Sequence, residues 1–330
     1  MTARQHPADI LFDAEKPFPI LPAVDHYAGS EKLMRKALAL QADLGPVFDV
    51  TFDCEDGAHA GAEAEHARMA AALAASSDNR FGRVGARIHD ITHPLWQQDL
   101  DILVRDAGRR LAFLTLPKAR SAADVRIQIE TLRRTEGEYG IERPIPVHVL
   151  IETHGALREI WQIVAIDGVE SVDFGIMDFV SAHHGALPGS AMVSPSQFTH
   201  PVVVRAKCEI VAASLAHGVV PAHNVTTELR DADVIRNDAL RARQEFGFLR
   251  MWSIHPNQIL PIVNAMRPDF SEVQAAAEIL LAAQEVAWGP IQHDGKLHDR
   301  ASYRYYWELL ARANATGMGI DSTARQRFFA

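Results

Sequence analysis

Along most of the chain, short runs of aliphatic, β-branched and aromatic residues alternate with longer stretches whose apolar positions recur every three to four residues. The short runs predict strands at 20–24, 48–53, 84–89, 111–117, 146–151, 171–176, 219–224 and 248–254. The longer stretches predict helices, among them 31–44, 61–75, 122–134, 155–166, 202–217 and 231–246. Strand and helix following one another in eight such units predict an α/β fold, a TIM (β/α)8 barrel. An open doubly wound sheet is the competing arrangement, but no Gly-x-Gly-x-x-Gly follows the first predicted strand. Beyond the last unit the rhythm changes to an Ala-rich amphipathic helix at 271–288, a turn around Asp294-Gly295-Lys296, and a helix at 301–314. Residues 1–268 are therefore read as the barrel and 269–330 as a helical lid or oligomerisation extension, with 316–330 polar and interrupted by glycine.

Composition narrows the function. The 330 residues carry 33 Lys and Arg against 42 Asp and Glu, a formal charge of −9, and the basic residues are scattered, which disfavours nucleic acid as a partner. The apolar runs are strand-length, far short of the roughly 20 residues a spanning helix needs, so no membrane partner is expected. The first residues, Met1 to Ile10, lack the apolar stretch of an export signal. Cys54 and Cys208 are too few for a disulfide framework or a CxxC metal site, and their apolar flanks predict buried thiols. A cytoplasmic location is the expectation.

Polar residues interrupt the apolar runs where the strands of a barrel meet its catalytic face. They include Asp53-Cys54-Glu55-Asp56, Arg87, Lys118, Glu152, Asp178, His223 and His255. Glu152 and Asp178, at the ends of consecutive predicted strands, bring two hard oxygen ligands together, a set that suits Mg²⁺. Arg87 supplies a fixed fork for a substrate carboxylate or carbonyl oxygen. Together they form a kit for stabilising negative charge beside a breaking carbon–carbon bond.

In these segments the chain resembles the HpcH/HpaI aldolase and citrate lyase β-subunit family. The resemblance rests on Asp53-Cys54-Glu55-Asp56-Gly57, Ala86-Arg87-Ile88-His89, Leu116-Pro117-Lys118, Leu150-Ile151-Glu152-Thr153, Phe174-Gly175-Ile176-Met177-Asp178 and Ser253-Ile254-His255-Pro256-Asn257-Gln258, in that order. It implies a barrel of the phosphoenolpyruvate/pyruvate type, Mg²⁺ on Glu152 and Asp178, Arg87 on the substrate, and a reversible aldol- or Claisen-type cleavage. Asp294-Gly295-Lys296-Leu297-His298-Asp299 resembles the family's Gly-Lys-Met-Ile-Asp lid signature, which implies that Asp299 is an acid/base group serving a neighbouring subunit. The chain also departs from the family. The Arg-Arg-Ser strand and Pro-Gly turn of CoA-dependent members are replaced by Pro19-Ile20-Leu21-Pro22-Ala23-Val24-Asp25-His26, His223 stands where the seventh strand usually carries Asp, and the run after Met177 differs from the usual Glu-Asp-Leu.

Other polar residues receive quieter roles. Glu55 and Asp56 are expected to support Arg87 or a metal-bound water. Lys118 could form a Schiff base but is read as ion-paired, and His183 and His184 as loop histidines that could reach substrate. His255 is expected to cap the helix that follows it, and like charge should raise the Cys54 thiol. The expected function is a Mg²⁺-dependent carbon–carbon lyase acting on a β-hydroxy acyl-CoA or a related oxo or hydroxy acid. The alternatives are a malyl-CoA thioesterase-like hydrolase and a subunit of a lyase complex that needs an acyl-carrier partner. A homo-oligomer, trimer or hexamer, is expected from the apolar stripes at 273–287 and 303–310, which would dock against a neighbour.

Overall fold

The computed structural model describes residues 5–12, 18–56 and 61–329; Met1 to Arg4, Gly57 of the acidic run and Ala330 lie outside them. The chain divides into two compact units, Leu21–Met266 and the two chain ends, Met1–Ile20 with Arg267–Ala330.

The larger unit is a closed barrel of eight parallel strands in sequential order: β1 (Val24–Ala28), β2 (Phe48–Asp53), β3 (Val84–Arg87), β4 (Leu111–Leu116), β5 (Val147–Ile151), β6 (Val169–Phe174), β7 (Val220–His223) and β8 (Arg250–Ser253). The ring closes where Val24, Asp25 and His26 pair with Met251, Trp252 and Ser253. Seven strands fall where the apolar runs predict them. The first lies later than 20–24, because Pro19 and Pro22 have no amide hydrogen to give a ladder, whereas Asp25-His26-Tyr27, too polar to read as a buried strand, is one.

The reason is the direction each side chain faces. Val24, Val50, Phe52, Val84, Ala86, Leu114, Leu116, Val149, Ile151, Val172 and Phe174 pack in one apolar cluster with the surrounding helices. The alternate residues of the same strands point inward. Barrel interiors are usually filled by Val, Ile and Leu; this one is largely polar. Asp49 on β2 pairs with Arg250 on β8 and with Arg83, both at 2.7 Å, and Thr51 donates to Asp25 at 2.7 Å. Gly85 on β3 is required by its neighbour, since a Cβ there would stand 2.3 Å from the ring of Phe113, which stacks on His148 at 3.9 Å.

Among the helices, Trp96–Ala107 carries no counterpart in the sequence reading, although Leu100, Leu103, Val104 and Ala107 line its buried side. The helix expected over 155–166 is two short ones, His154–Arg158 and Ile160–Val164, broken at Glu159. Cys208 is exposed rather than buried, on the outer side of the helix Pro201–Ala216. No helix among the described residues is long and apolar enough to cross a membrane.

The smaller unit contains the helices Phe270–Glu285 and Arg300–Ala315 joined by a two-stranded antiparallel hairpin, β9 (Ile291–His293) and β10 (Lys296–His298). Its turn is Asp294-Gly295, both at positive φ, the conformation a two-residue hairpin loop demands. The stripes expected to dock against a neighbour are used inside the unit: Val273, Ala276, Leu280 and Ala283 are buried with Tyr303, Trp307 and Leu310. The helix Pro7–Leu11, assigned to the barrel by the sequence pattern, belongs here as well. Leu11 is buried in the same cluster and Arg304 Nε donates to its carbonyl at 2.7 Å. The polar segment 316–330 contains a further helix, Ser322–Phe328, capped by Asp321.

Candidate active site

The strand-end residues of β2 to β6 converge as the sequence predicts. Arg87, the last residue of β3, is 7% exposed and is clamped by Asp53 of β2 through two parallel bonds, Nε to Oδ1 at 2.8 Å and Nη2 to Oδ2 at 2.7 Å. Its remaining nitrogen, Nη1, lies 3.0 Å from Glu55 Oε2 and 3.8 Å from Asp56 Oδ2. Burial works against the guanidinium charge, but Asp53 and then Glu55 outweigh it, so Arg87 stays charged with its plane fixed.

Lys118 follows β4 at positive φ, which turns its amide and its side chain toward different carboxylates. The amide donates to Glu152 Oε1 at 2.7 Å, while Nζ lies 2.7 Å from Glu55 and 2.9 Å from Asp56. Burial lowers the ammonium's pKa, but the bonds to Glu55 and Asp56 more than reverse that and hold it above the ordinary lysine value. A Schiff-base lysine needs the opposite shift. Glu55, in turn, is raised by burial, with Arg87 and Lys118 pulling it back.

Glu152 comes directly after β5 and is almost wholly buried. Thr153 behind it caps the helix His154–Arg158 and donates to the Ala119 carbonyl at 2.6 Å, tying the ends of β4 and β5 together. The Glu152 carboxyl is pushed up to about 8, first by burial and then by the charge of Asp178. Asp178 is not on strand β6 itself but in the first turn of the helix Ile176–Ser181, which Gly175 introduces. Gly175 has no alternative at this point, because a Cβ there would sit 2.2 Å from Glu152 Oε2. A buried carboxylate in the field of a half-buried one, with no nitrogen or sulfur ligand from this set, is the donor chemistry of a hard divalent cation.

The histidines sort themselves. His183 Nδ1 lies 2.8 Å from the Phe179 carbonyl and its ring meets that of His154 edge-on at 4.5 Å, so it is tied back to the helix Ile176–Ser181 that precedes it. His184 is an exposed loop residue at positive φ. His255 Nδ1 accepts from the Asn257 amide at 3.2 Å, the cap expected of it. His223 is fully buried and stacked on Phe198 at 5.4 Å. The Cys54 thiol is raised chiefly by burial, the charges of Asp99 and Asp53 coming second. Asp299 begins the helix Arg300–Ala315 with a capping box, accepting from the amides of Ala301 and Ser302 while Ser302 Oγ accepts from the Asp299 amide. Sequence reasoning missed two roles in the barrel group, that of Tyr27 and the clamp that Asp53, named only as part of the acidic run, puts on Arg87. The Tyr27 ring lies 5.3 Å beneath the Arg87 guanidinium and stacks on Trp252 at 4.6 Å. A cation over an aromatic face adds a further hold on Arg87, and the signal for it was the polar strand Asp25-His26-Tyr27 itself.

The chain is similar over most of its length to several known proteins. The L-malyl-CoA/beta-methylmalyl-CoA lyase of Rhodobacter capsulatus is 26% identical over 233 residues, 67% of this chain and 73% of that protein. The malyl-CoA/beta-methylmalyl-CoA/citramalyl-CoA lyase of Chloroflexus aurantiacus is 23% identical over 238 residues, 66% of this chain and 67% of its own. Among solved structures, a citrate lyase from Burkholderia xenovorans superposes with a TM-score of 0.86 at 54% identity, covering 99% of this chain and 100% of its own. The protein CitE of Mycobacterium tuberculosis, solved with magnesium, acetoacetate and coenzyme A, shares the fold at 22% identity and a TM-score of 0.67, covering 89% of this chain and 98% of its own. The family described as HpcH/HpaI aldolase/citrate lyase matches residues 28–256, from the end of β1 to the start of the helix after β8. The chain belongs to that family and is a carbon–carbon lyase.

Proposed function

We propose that the chain is a magnesium-dependent lyase that cleaves a β-hydroxy acyl-CoA, or a related hydroxy or oxo acid, next to its carbonyl group. The observation that carries this reading is the Glu152–Asp178 pair, two carboxylates whose mutual repulsion in a buried setting a divalent cation would relieve. When bound there, Mg²⁺ supplies Lewis-acid stabilisation of charge on the substrate's carbonyl oxygen. Glu152 and Asp178 hold the cation, and Lys118 keeps Glu152 oriented through its amide. Arg87 binds the carboxylate or carbonyl oxygen of the substrate with a guanidinium that Asp53, Glu55 and Tyr27 keep from rotating. Asp56 and Glu55 anchor Lys118 at the rim. Cleavage removes the hydroxyl proton, turns that C–O into a carbonyl, breaks the neighbouring carbon–carbon bond and leaves its electron pair as an enolate, which is then protonated on carbon. Asp299 of a neighbouring copy is the group assigned to exchange that proton; its exposure at the start of its helix supports the reading.

The test is a pair of substitutions with two readouts. Asp178→Ala and Glu152→Gln should each lower Mg²⁺-dependent turnover by at least about 100-fold while leaving the circular dichroism and melting profile of a folded barrel. Calorimetric titration with Mg²⁺ should show the loss of affinity directly. Wild-type affinity in Asp178→Ala would refute the assignment.

A further inference from the structure

The inward-facing residues of β1, β5 and β6 meet well inside the barrel, and three of them, Asp25, His148 and Asp173, place one ligand atom each within 4.8 Å of the other two. All three side chains are fully buried. Each is oriented by a partner on its far side. Thr51 donates to Asp25 Oδ1 at 2.7 Å, and Ser171, whose hydroxyl also faces the Val220 carbonyl, donates to Asp173 Oδ1 at 2.8 Å. His148 Nε2 lies 3.3 Å from Glu170 Oε2, so the imidazole's proton is drawn to Nε2 and the lone pair is left on Nδ1. The atoms that remain, Asp25 Oδ2, His148 Nδ1 and Asp173 Oδ2, have no hydrogen-bond partner. Three fully buried acceptors aimed at one another, with no donor among them, repel.

The charges around them are also unbalanced. Asp25, Asp49, Asp173 and Glu170 bring four negative charges to the field of Arg250, and Arg250 with Arg83 brings two positive ones. The two acids of the cluster lie in that same field, so carboxylates outnumber arginines around the three unpartnered atoms.

We propose that Asp25, His148 and Asp173 form a second, fully buried metal site for a borderline divalent cation of the zinc class, distinct from the strand-end pair. A set of two carboxylate oxygens and one imidazole nitrogen favours such an ion over Mg²⁺. Shifts of at most about 0.7 Å would bring the three atoms to bond lengths of roughly 2.0–2.2 Å. A carboxylate hydrogen-bonded to the far nitrogen of a ligating histidine is the usual outer support of such a site. The fully buried position means that the ion enters as the barrel closes and cannot be withdrawn by a chelator from the folded chain.

The experiment measures metal content by mass spectrometry in the full-length protein and in a Glu152→Gln/Asp178→Asn double variant, whose strand-end pair is disabled. After exhaustive dialysis against EDTA, both should retain about one equivalent of zinc or a similar ion, released only when the chain is unfolded in chelator. Refolding the double variant with Co²⁺ should produce the visible d–d bands of cobalt with a nitrogen and oxygen ligands. Adding His148→Gln should bring the retained metal to background. Because that variant may not fold, the cobalt spectrum of the double variant decides independently. Metal-free folded protein with no cobalt bands on refolding would overturn the proposal and leave a proton shared by the carboxylates as the answer. Metal retained by the wild type but lost from the double variant would overturn it too, by assigning the ion to Glu152 and Asp178.

Discussion

Single residues in this protein owe their chemistry to which neighbours reach them first. Lys118 shows it plainly: the same residue that could have been a nucleophile is kept as an ammonium by Glu55 and Asp56. Treatment with an oxo acid and borohydride is accordingly expected to leave activity intact and to add no mass to the chain; a reduced adduct on Lys118 would contradict the ion-paired role. His26 is the opposite case, a buried imidazole kept neutral. Burial, and next to it the charge of His255, pushes its pKa down to about 4, although Ser253 hydrogen-bonds its Nδ1 at 2.8 Å. The unfolded chain takes up this proton near pH 6.5 and the folded chain only near 4. The contribution is therefore complete above about 6.5 and lost progressively as the pH falls to about 4. Denaturation series across that window should show a smaller acid loss for His26→Gln than for the wild type, and identical slopes would count against the assignment.

At the scale of elements, the apolar rhythm revealed the barrel because the outward faces of the strands carry it. Val50, Phe52, Val149 and Ile151 mark their strands whatever lies between them. The first strand was misplaced for the complementary reason. Its informative residues, Asp25, His26 and Tyr27, face inward or toward β8, and polarity in a strand reads as a loop unless the interior is known to be polar. The candidate site was legible where a motif names the residue, as at Arg87, Glu152 and Asp178. It was illegible where a residue acts only through contact, as Tyr27 does beneath Arg87. Gly175 belongs to this scale, since it lets the turn from β6 into the next helix pass against Glu152. Its φ of −90° would tolerate alanine, so backbone strain plays no part. Gly175→Ala should displace the Glu152 carboxylate, with an overpacking cost of about 1–3 kcal/mol and a fall in Mg²⁺ affinity larger than that stability loss alone explains. A variant with unchanged metal affinity would show that the carboxylate has room to move elsewhere.

For the whole molecule, the tail raises the question of a second copy. Its two long helices bury their apolar stripes against each other, so those stripes give no reason for oligomerisation. The large apolar residues left exposed among the described residues of the tail are Phe270, Val286, Tyr305 and, on the hairpin two residues before Asp299, Leu297 at 75% exposure. The shared-site reading of Asp299 is tested by mixing. Co-expressed Glu152→Gln and Asp299→Asn chains, each inactive alone, should regain activity at about a quarter of the sites if the carboxylates come from different copies. Hybrids that form and stay inactive would end that reading. Full turnover in Asp299→Asn alone would reduce the residue to its helix cap.

The charged network in the centre of the barrel bears on how the fold can be taken apart. Asp25, Asp49 and Thr51 come from the first strands of the chain, and His148, Asp173 and Arg250 from the last four. A cut between β4 and β5 would leave Asp49 with Arg83 but without Arg250, and would leave Arg250, His148 and Asp173 without Asp25 and Asp49. Each four-strand half would have to bury charges that the other half helps to answer. In this protein Asp49 is held by one arginine from each half, Arg83 and Arg250, so the pairing is completed only by the whole ring and ties the barrel together electrostatically as well as geometrically.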